Sequence, residues 1–407
     1  MFRRKRIALL GVLGFSSGLP LMLTGQTLGA WMSTEGVALD TIGAFALVGL
    51  PYTFKWLWAP ILDRYAWPFL GRRRGWMLVL QLALVAAIAA MGTVSPREAP
   101  GALATLAAIV AFLSATQDVV LDAYQTDLLA DAERAAGAAA YVMGYRVAVV
   151  VAGTGMLILA DHVAWRVIYA TLAGAMLAGV LATLVAEEPP PARAARPATL
   201  AEAAWRPVVE LGRLPRAALV LAFVALFKFG DYLAQPLLVP FFQRGVGLSL
   251  TEIGLVNQVC GLAGVVAGGV VAAAAVARVG LRAALVGFGA LQAATNVLYA
   301  VLAITGKSTP MFATAVLADS LANAMGTAAF VAFLMAQCDP RVSATQFALL
   351  TSLSSIGQRV FGPLGGPIVA SAGWTGFFAT TALVAIPGLA LVRWLPIGGP
   401  PPRGDRP

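Results

Sequence analysis

The stretch Ser114-Ala115-Thr116-Gln117-Asp118-Val119-Val120-Leu121-Asp122-Ala123-Tyr124-Gln125-Thr126-Asp127 decides how the rest of this chain is read. It continues the apolar run Gly101 to Leu113, so three carboxylates and two glutamines ride on a segment that otherwise has the composition of a membrane span. An ionisable group at that depth costs roughly 2.5–3.5 kcal/mol on insertion scales, and such residues mark sites and pathways. Asp118 and Asp122 are four apart and share one helical face.

The 407 residues are 59% hydrophobic and 12% charged, with a mean hydropathy of +0.82; a soluble domain carries about 25% charged residues. The chain is therefore expected to be an all-α polytopic membrane protein. Windows of about 20 apolar residues predict spans near 7–31, 40–61, 75–94, 102–127, 137–160, 165–185, 217–242, 251–276, 282–304, 310–336, 344–370 and 375–395. The first follows Arg3-Arg4-Lys5-Arg6, but it is too long for a signal peptide and others follow, so it reads as a retained helix. Nearly all arginines fall in alternate loops, with only Arg97, Arg166, Arg244 and Lys307 on the opposite side. That asymmetry predicts both termini in the cytoplasm. It turns the net charge of +9 into a topology signal and argues against a nucleic-acid partner. Cys260 and Cys338 have no spacing for a disulfide framework or a metal site.

The sequence echoes itself at about half its length. Leu39-Asp40-Thr41-Ile42-Gly43 is answered by Leu250-Thr251-Glu252-Ile253-Gly254, Trp165-Arg166 by Trp374-Thr375, and Phe15 with Gly18 by Phe227 with Gly230, at offsets of 209 to 212. A parallel repeat of six plus six helices is the architecture of secondary transporters, with a central site between the halves. The expected division is a bundle at 1–186, a cytoplasmic linker with an amphipathic helix at 187–216, a second bundle at 217–397 and a disordered tail at 398–407.

Within the spans lie Lys55, Asp118, Asp122, Arg146, Lys228, Asp231, Asp319 and Arg359. Lys55 is near a helix end and can snorkel. Counting from the connecting turns puts Asp118 level with Arg146 and Asp319 level with Arg359, and Lys228 can share a face with Asp231. Three ion pairs are therefore expected. Two carboxylates on one face hold a proton more readily, which makes Asp118 and Asp122 the proton-coupling candidates. The bases suit the carboxylates of an anionic solute. The candidate substrate-binding set is Ser16, Ser17, Gln26, Gln117, Tyr124, Tyr141, Tyr145, Arg146, Lys228, Asp231, Tyr232, Asp319, Asn323, Gln358 and Arg359. The tyrosines are amphipathic rings suited to stacking on a sugar while bonding its hydroxyls.

Between spans two and three, Asp63-Arg64 followed by Gly71-Arg72-Arg73-Arg74 resembles the motif A loop of the major facilitator superfamily. Asp63, Arg64, Arg72, Arg73, Asp127 and Arg134 are the gating candidates, an acid–base latch on the cytoplasmic side. Gly306-Lys307-Ser308-Thr309 imitates a P-loop end without its first glycine, and the lone His162 has no partners for catalysis or metal binding. No nucleophile–base–acid set appears, so an enzyme is not expected.

Several motifs together resemble the AmpG-type muropeptide permeases. They include Gly14-Phe15-Ser16-Ser17-Gly18-Leu19-Pro20, Phe54-Lys55-Trp56-Leu57-Trp58-Ala59-Pro60, Gln117-Asp118 with Asp122, Lys228-Phe229-Gly230-Asp231, Gly326-Thr327-Ala328-Ala329-Phe330 and Ser343-Ala344-Thr345-Gln346-Phe347. The resemblance covers nearly all of residues 14 to 395. It implies import of N-acetylglucosaminyl-1,6-anhydro-N-acetylmuramic acid, with or without its stem peptide, across the bacterial inner membrane with protons and for cell-wall recycling. Asp118, Asp122, Arg146, Lys228, Asp231 and Arg359 match polar intramembrane positions of that family. The expected partners are this small molecule, protons and membrane lipid, for a monomer without cofactor or metal. The alternative is a proton-coupled carrier of another bulky amphiphile, such as a siderophore, peptide or drug.

Overall fold

A computed structural model describes residues 2–65, 67, 69–129, 131–189, 216–337 and 343–396, and there is no strand among them. The expected amphipathic linker helix and the C-terminal tail lie outside these residues. In chain order, α1 (Phe2–Leu23), α2 (Gln26–Thr34), α3 (Leu39–Ala44), α4 (Leu50–Phe54), α5 (Ala59–Arg64), α6 (Arg72–Met91), α7 (Pro100–Leu128), α8 (Asp131–Val150), α9 (Met156–Ala160) and α10 (Trp165–Val185) come first. They are followed by α11 (Ala217–Leu226), α12 (Phe229–Ala234), α13 (Leu250–Val256), α14 (Leu262–Val279), α15 (Leu281–Thr305), α16 (Thr309–Ala336), α17 (Ser343–Phe361), α18 (Gly365–Leu383) and α19 (Ala385–Leu391).

Nine described segments are long and apolar enough to cross a membrane, and the bent pair Ala217–Leu226 and Phe229–Gly245 makes a tenth. One of the nine, Leu350–Trp394, has 45 residues. As one helix it would be about 68 Å long, twice a hydrocarbon core of about 30 Å. Gly373, at φ 67° and ψ −179°, breaks it in two. The expected second span is divided among α3, α4, α5 and two 3₁₀ turns, Phe45–Gly49 and Lys55–Leu57. Pro51 and Pro60 open α4 and α5, since proline lacks the N–H that an uninterrupted helix needs. With these breaks the segments are consistent with twelve spans.

Contacts divide the chain into two compact units: Met1–Val37 with Val48–Leu200, and Ala38–Leu47 with Ala201–Pro407. The assignment of Ala38–Leu47 departs from the expected halves. α3 packs on α18 and on the 3₁₀ turn Gly362–Leu364, where Gly366 has no Cβ to strike the Asp40 backbone.

The first unit is organised around the contact of α1 with α8. A Cβ on Gly14 would collide with the Tyr141 carbonyl, and one on Gly144 with the Gly11 carbonyl, so both helices need hydrogen where they cross. Leu10, Leu13, Met77, Leu80, Val120 and Leu121 form the adjoining core. In the second unit the core is aromatic: Phe227 stacks on Phe330 at 5.4 Å and Phe223 meets Phe333 edge-on at 4.9 Å. The segment Leu250–Val279 leaves Val259, Val266 and Val270 at 67%, 60% and 68% exposure, a valine face suited to lipid.

Gly144→Leu is expected to destabilise the detergent-solubilised protein by about 1–3 kcal/mol through overpacking, read as a lowered thermal midpoint. Gly174, where an added Cβ meets nothing within 4 Å, should accept alanine without loss.

Candidate functional site

Asp118 lies on α7 and accepts a hydrogen bond from Ser17 Oγ of α1. Ser17 in turn accepts from Tyr141 OH of α8 at 2.8 Å. The chain of bonds follows from the glycine contact: with Gly14 under Tyr141 and Gly18 under Tyr145, α8 comes close enough for a phenol to reach a serine. Lys55 is the positive charge that acts on both Asp118 and Asp122. Asp122 is exposed, and its carboxylate makes no hydrogen bond with the described residues. Behind Asp118 the side chains close on one another. Gln117 Nε2 lies 3.4 Å from Ser16 Oγ, and Trp58 Nε1 donates to Thr116 Oγ1 at 3.0 Å. Tyr52 OH, Ser114 Oγ and Gln117 Oε1 are buried without a hydrogen-bond partner among the described residues.

The second unit holds a different network. Lys228 sits at the break between α11 and α12, at φ −107° and ψ 22°, and donates to Asn323 Oδ1 at 2.8 Å and Thr327 Oγ1 at 2.6 Å. Gln292 Nε2 on α15 donates to Asp231 Oδ1 at 3.2 Å and to Asp319 Oδ1 at 2.9 Å. Thr295 Oγ1 lies 3.1 Å from the same Asp319 oxygen. Tyr232 OH meets Ser354 Oγ at 2.6 Å, and Arg359 Nη1 donates to the Ala46 carbonyl at 3.3 Å.

None of the three expected ion pairs forms. Asp118 binds Ser17, Asp319 binds Gln292 and Thr295, and Lys228 binds Asn323 and Thr327. Counting along helices gives depth but not the direction in which a side chain points around the helix, and that direction decides pairing. Arg146 is exposed on α8, while the α1-facing side of that helix carries Tyr141, Gly144 and Tyr145. Tyr124 is also displaced from any ligand role: it is buried, and its OH donates to the Glu187 carbonyl at 3.0 Å. Ser16 is buried against Met176. Gln26, Tyr145 and Gln358 are half-buried, with no side-chain hydrogen bond among the described residues.

At the cytoplasmic end expected for the gate, Asp127 accepts from Arg73 Nε at 2.8 Å and lies 3.4 Å from Arg72 Nη2. Glu188 accepts from the amides of Arg73 and Arg74 at 2.9 and 3.0 Å, so a carboxylate caps the positive end of α6. Arg6 Nε pairs with Glu187 at 3.0 Å. These bonds join α1, α6, α7 and the end of α10 within the first unit. Arg64 is exposed at the end of α5. The side chains of Asp63 and Arg134 lie outside the described residues.

The profile of the Major Facilitator Superfamily matches residues 7–306 and 226–407. The chain is 44% identical to the anhydromuropeptide permease of Escherichia coli K12, over 96% of this chain and 80% of that protein. The chain belongs to the AmpG-type permeases of the major facilitator superfamily. A putative transporter AmpG 1 of Rickettsia conorii is 27% identical over 96% of this chain and 98% of its own. Among solved structures, the nucleoside transporter NupG superposes with a TM-score of 0.70 at 14% identity, covering 97% of each chain, and the D-xylose–proton symporter with 0.65 at 13%, covering 97% and 98%. At such identities they speak for the fold alone. This is a multi-pass membrane transporter of a small molecule, not an enzyme.

For a member of this family the sequence reading missed several participants. Gln292 and Gln81 were within reach, since they stand 211 residues apart (292 − 81), inside the repeat offset. Gln81 accepts from Thr183 at 2.8 Å, whereas its counterpart bridges two carboxylates. Glu187 and Glu188 read as linker composition and prove to be helix-end partners. Asn296 and Tyr52 carried no local signal in the sequence, and Thr327 stood only within a motif of the family resemblance.

Gly71, at φ 83°, faces Glu188, and an added Cβ would meet that side chain at 2.6 Å. Gly71→Ala and Glu188→Ala should each cost about 1–2 kcal/mol through loss of the α6 cap, measurable as a lower unfolding midpoint in detergent.

Proposed function

We propose that this chain imports anhydromuropeptides, the disaccharide N-acetylglucosaminyl-1,6-anhydro-N-acetylmuramic acid with or without its stem peptide, from periplasm to cytoplasm. The reading includes symport with protons and residence in the bacterial inner membrane as a monomer with both termini in the cytoplasm. The observation that carries it is 44% identity to an anhydromuropeptide permease across 96% of the chain.

The geometry supports three roles. Arg146 is exposed on a predicted span and has no carboxylate partner among the described residues. An unpaired guanidinium is tolerated at membrane depth only where it meets water. It is thus free to receive the carboxylate of a muropeptide, with Tyr145 next to it in sequence on α8 as a hydrogen-bonding group. Asp118 and Asp122 supply the proton site: one lysine, Lys55, acts on two acids, so the group is charge-balanced when one acid is protonated. The bond from Ser17 orients the Asp118 carboxylate. The clasp of Asp127 with Arg72 and Arg73 fits a part in cytoplasmic gating, since opening that end requires its helices to move as a body.

In proteoliposomes, labelled anhydromuropeptide should accumulate only with an inward proton gradient, and unlabelled anhydro-disaccharide should compete while siderophores and unrelated peptides do not. Absence of uptake by folded, oriented protein would overturn the substrate. Asp118→Asn should lower gradient-driven accumulation at least tenfold. Arg146→Gln should raise the KM for peptide-bearing substrate by about tenfold, the worth of one charged hydrogen bond, with a smaller change in maximal rate.

A further inference from the structure

Lys228, Asp231, Gln292, Asn296 and Asn323 line a cavity of about 10 Å³, room for a single water. A disaccharide needs a site of several hundred cubic ångströms, so this cavity takes something smaller. Their arrangement is specific. The one amide nitrogen of Gln292 reaches both Asp231 and Asp319, and its two hydrogens are used in doing so. The two accepting oxygens are therefore no more than about 6 Å apart.

Among the described residues, the cation acting on both acids is Lys228. Its Nζ is turned to Asn323 and Thr327, and no ion pair joins it to either carboxylate. Arg359 on α17 gives Nη1 to the Ala46 carbonyl. Tyr232 of α12 and Tyr299 of α15 are the neutral titratable groups facing the pair. α18 and α19 carry no titratable residue, and α16 carries only Asp319. Fully ionised, the trio of Lys228, Asp231 and Asp319 bears a net charge of −1 in surroundings that tolerate none; one added proton brings it to zero.

Two further polar groups point to a ligand. Asn296 is 2% exposed, lines the cavity and makes no hydrogen bond with the described residues. Gln292 Oε1 is buried without a hydrogen-bond partner among the described residues. A water in the cavity can accept from the Asn296 amide and donate to Gln292 Oε1 and to Asp231, which gives it the two to four partners that a buried water needs.

We propose that the second unit carries its own proton site, in which Asp231 and Asp319 share one proton beside a water held by Asn296 and Gln292. The step is balanced: hydronium delivered through that water loses a proton to a carboxylate, an O–H bond forms on the acid, water is left, and Lys228 keeps its charge. The consequence for transport rests on the proton-coupled reading above. The site itself does not, and its test needs no substrate.

Infrared pH-difference spectra of the full chain, in an Asp118→Asn/Asp122→Asn background, should show the carbonyl stretch of a protonated carboxyl at neutral pH. Adding Asp231→Asn or Asp319→Asn should abolish it, since the remaining acid is balanced by Lys228, and Asp319→Glu should restore it. Absence of the band in the background protein overturns the proposal whether or not the further variants fold. So does a band that survives both substitutions. Failure of muropeptide uptake in the wild type, with the band present, would instead remove the substrate and leave the proton site standing. In a competent transporter, Asp319→Asn should reduce gradient-driven accumulation at least tenfold, and Asp319→Glu should recover part of it.

Discussion

A charge inside a bilayer has to be neutralised, hydrated or hydrogen-bonded, and the polar architecture of this transporter answers to that requirement. Neutralisation by direct contact is not the solution adopted at Asp118, Asp231 or Asp319. Their partners are a serine, a glutamine and a threonine. A direct ion pair in low dielectric locks two side chains together and gives a proton little reason to bind. Neutral donors hold a carboxylate in place while leaving its charge open to change.

That arrangement depends on backbones approaching more closely than side chains normally permit. Tyr141 reaches Ser17, and Ser17 reaches Asp118, because α1 and α8 cross on glycines. The same economy of volume recurs in the second unit, where Gly230 lies against the Thr381 carbonyl beside Asn296. Close packing without side chains has no strong hydrophobic drive in lipid; van der Waals contact and interhelical hydrogen bonds hold it. The polar network and the glycine contacts are therefore mutually dependent.

The end of the first unit that carries Arg6, Arg72 and Asp127 follows a different rule. Ion pairs do form, between Arg6 and Glu187 and from Arg72 and Arg73 to Asp127. The half-exposed Arg6–Glu187 pair is weak by itself, but Arg72 and Arg73 share the more buried Asp127, and the set is supplemented by the Glu188 cap on α6 and the Tyr124 bond to Glu187. They bind the ends of several helices into one body, the kind of rigid element that alternating access requires.

Much of this was legible in the sequence. Composition and arginine placement gave a polytopic helical protein, the internal echoes gave its repeat, and the cost of buried charge singled out Asp118, Lys228, Asp231 and Asp319. Those properties are additive along the chain: hydropathy sums over a window, and an ionisable residue in a span is costly wherever its side chain turns. What joins to what was decided by tertiary structure alone. Asp118 with Arg146 and Asp319 with Arg359 agree in depth, yet neither pair forms, because bonding depends on rotation about the helix axis, on breaks such as the one at Lys228, and on where glycines let helices touch. Gln292 shows the limit most clearly: as a letter it is one more polar residue in an apolar helix, and only the fold places its amide between two carboxylates.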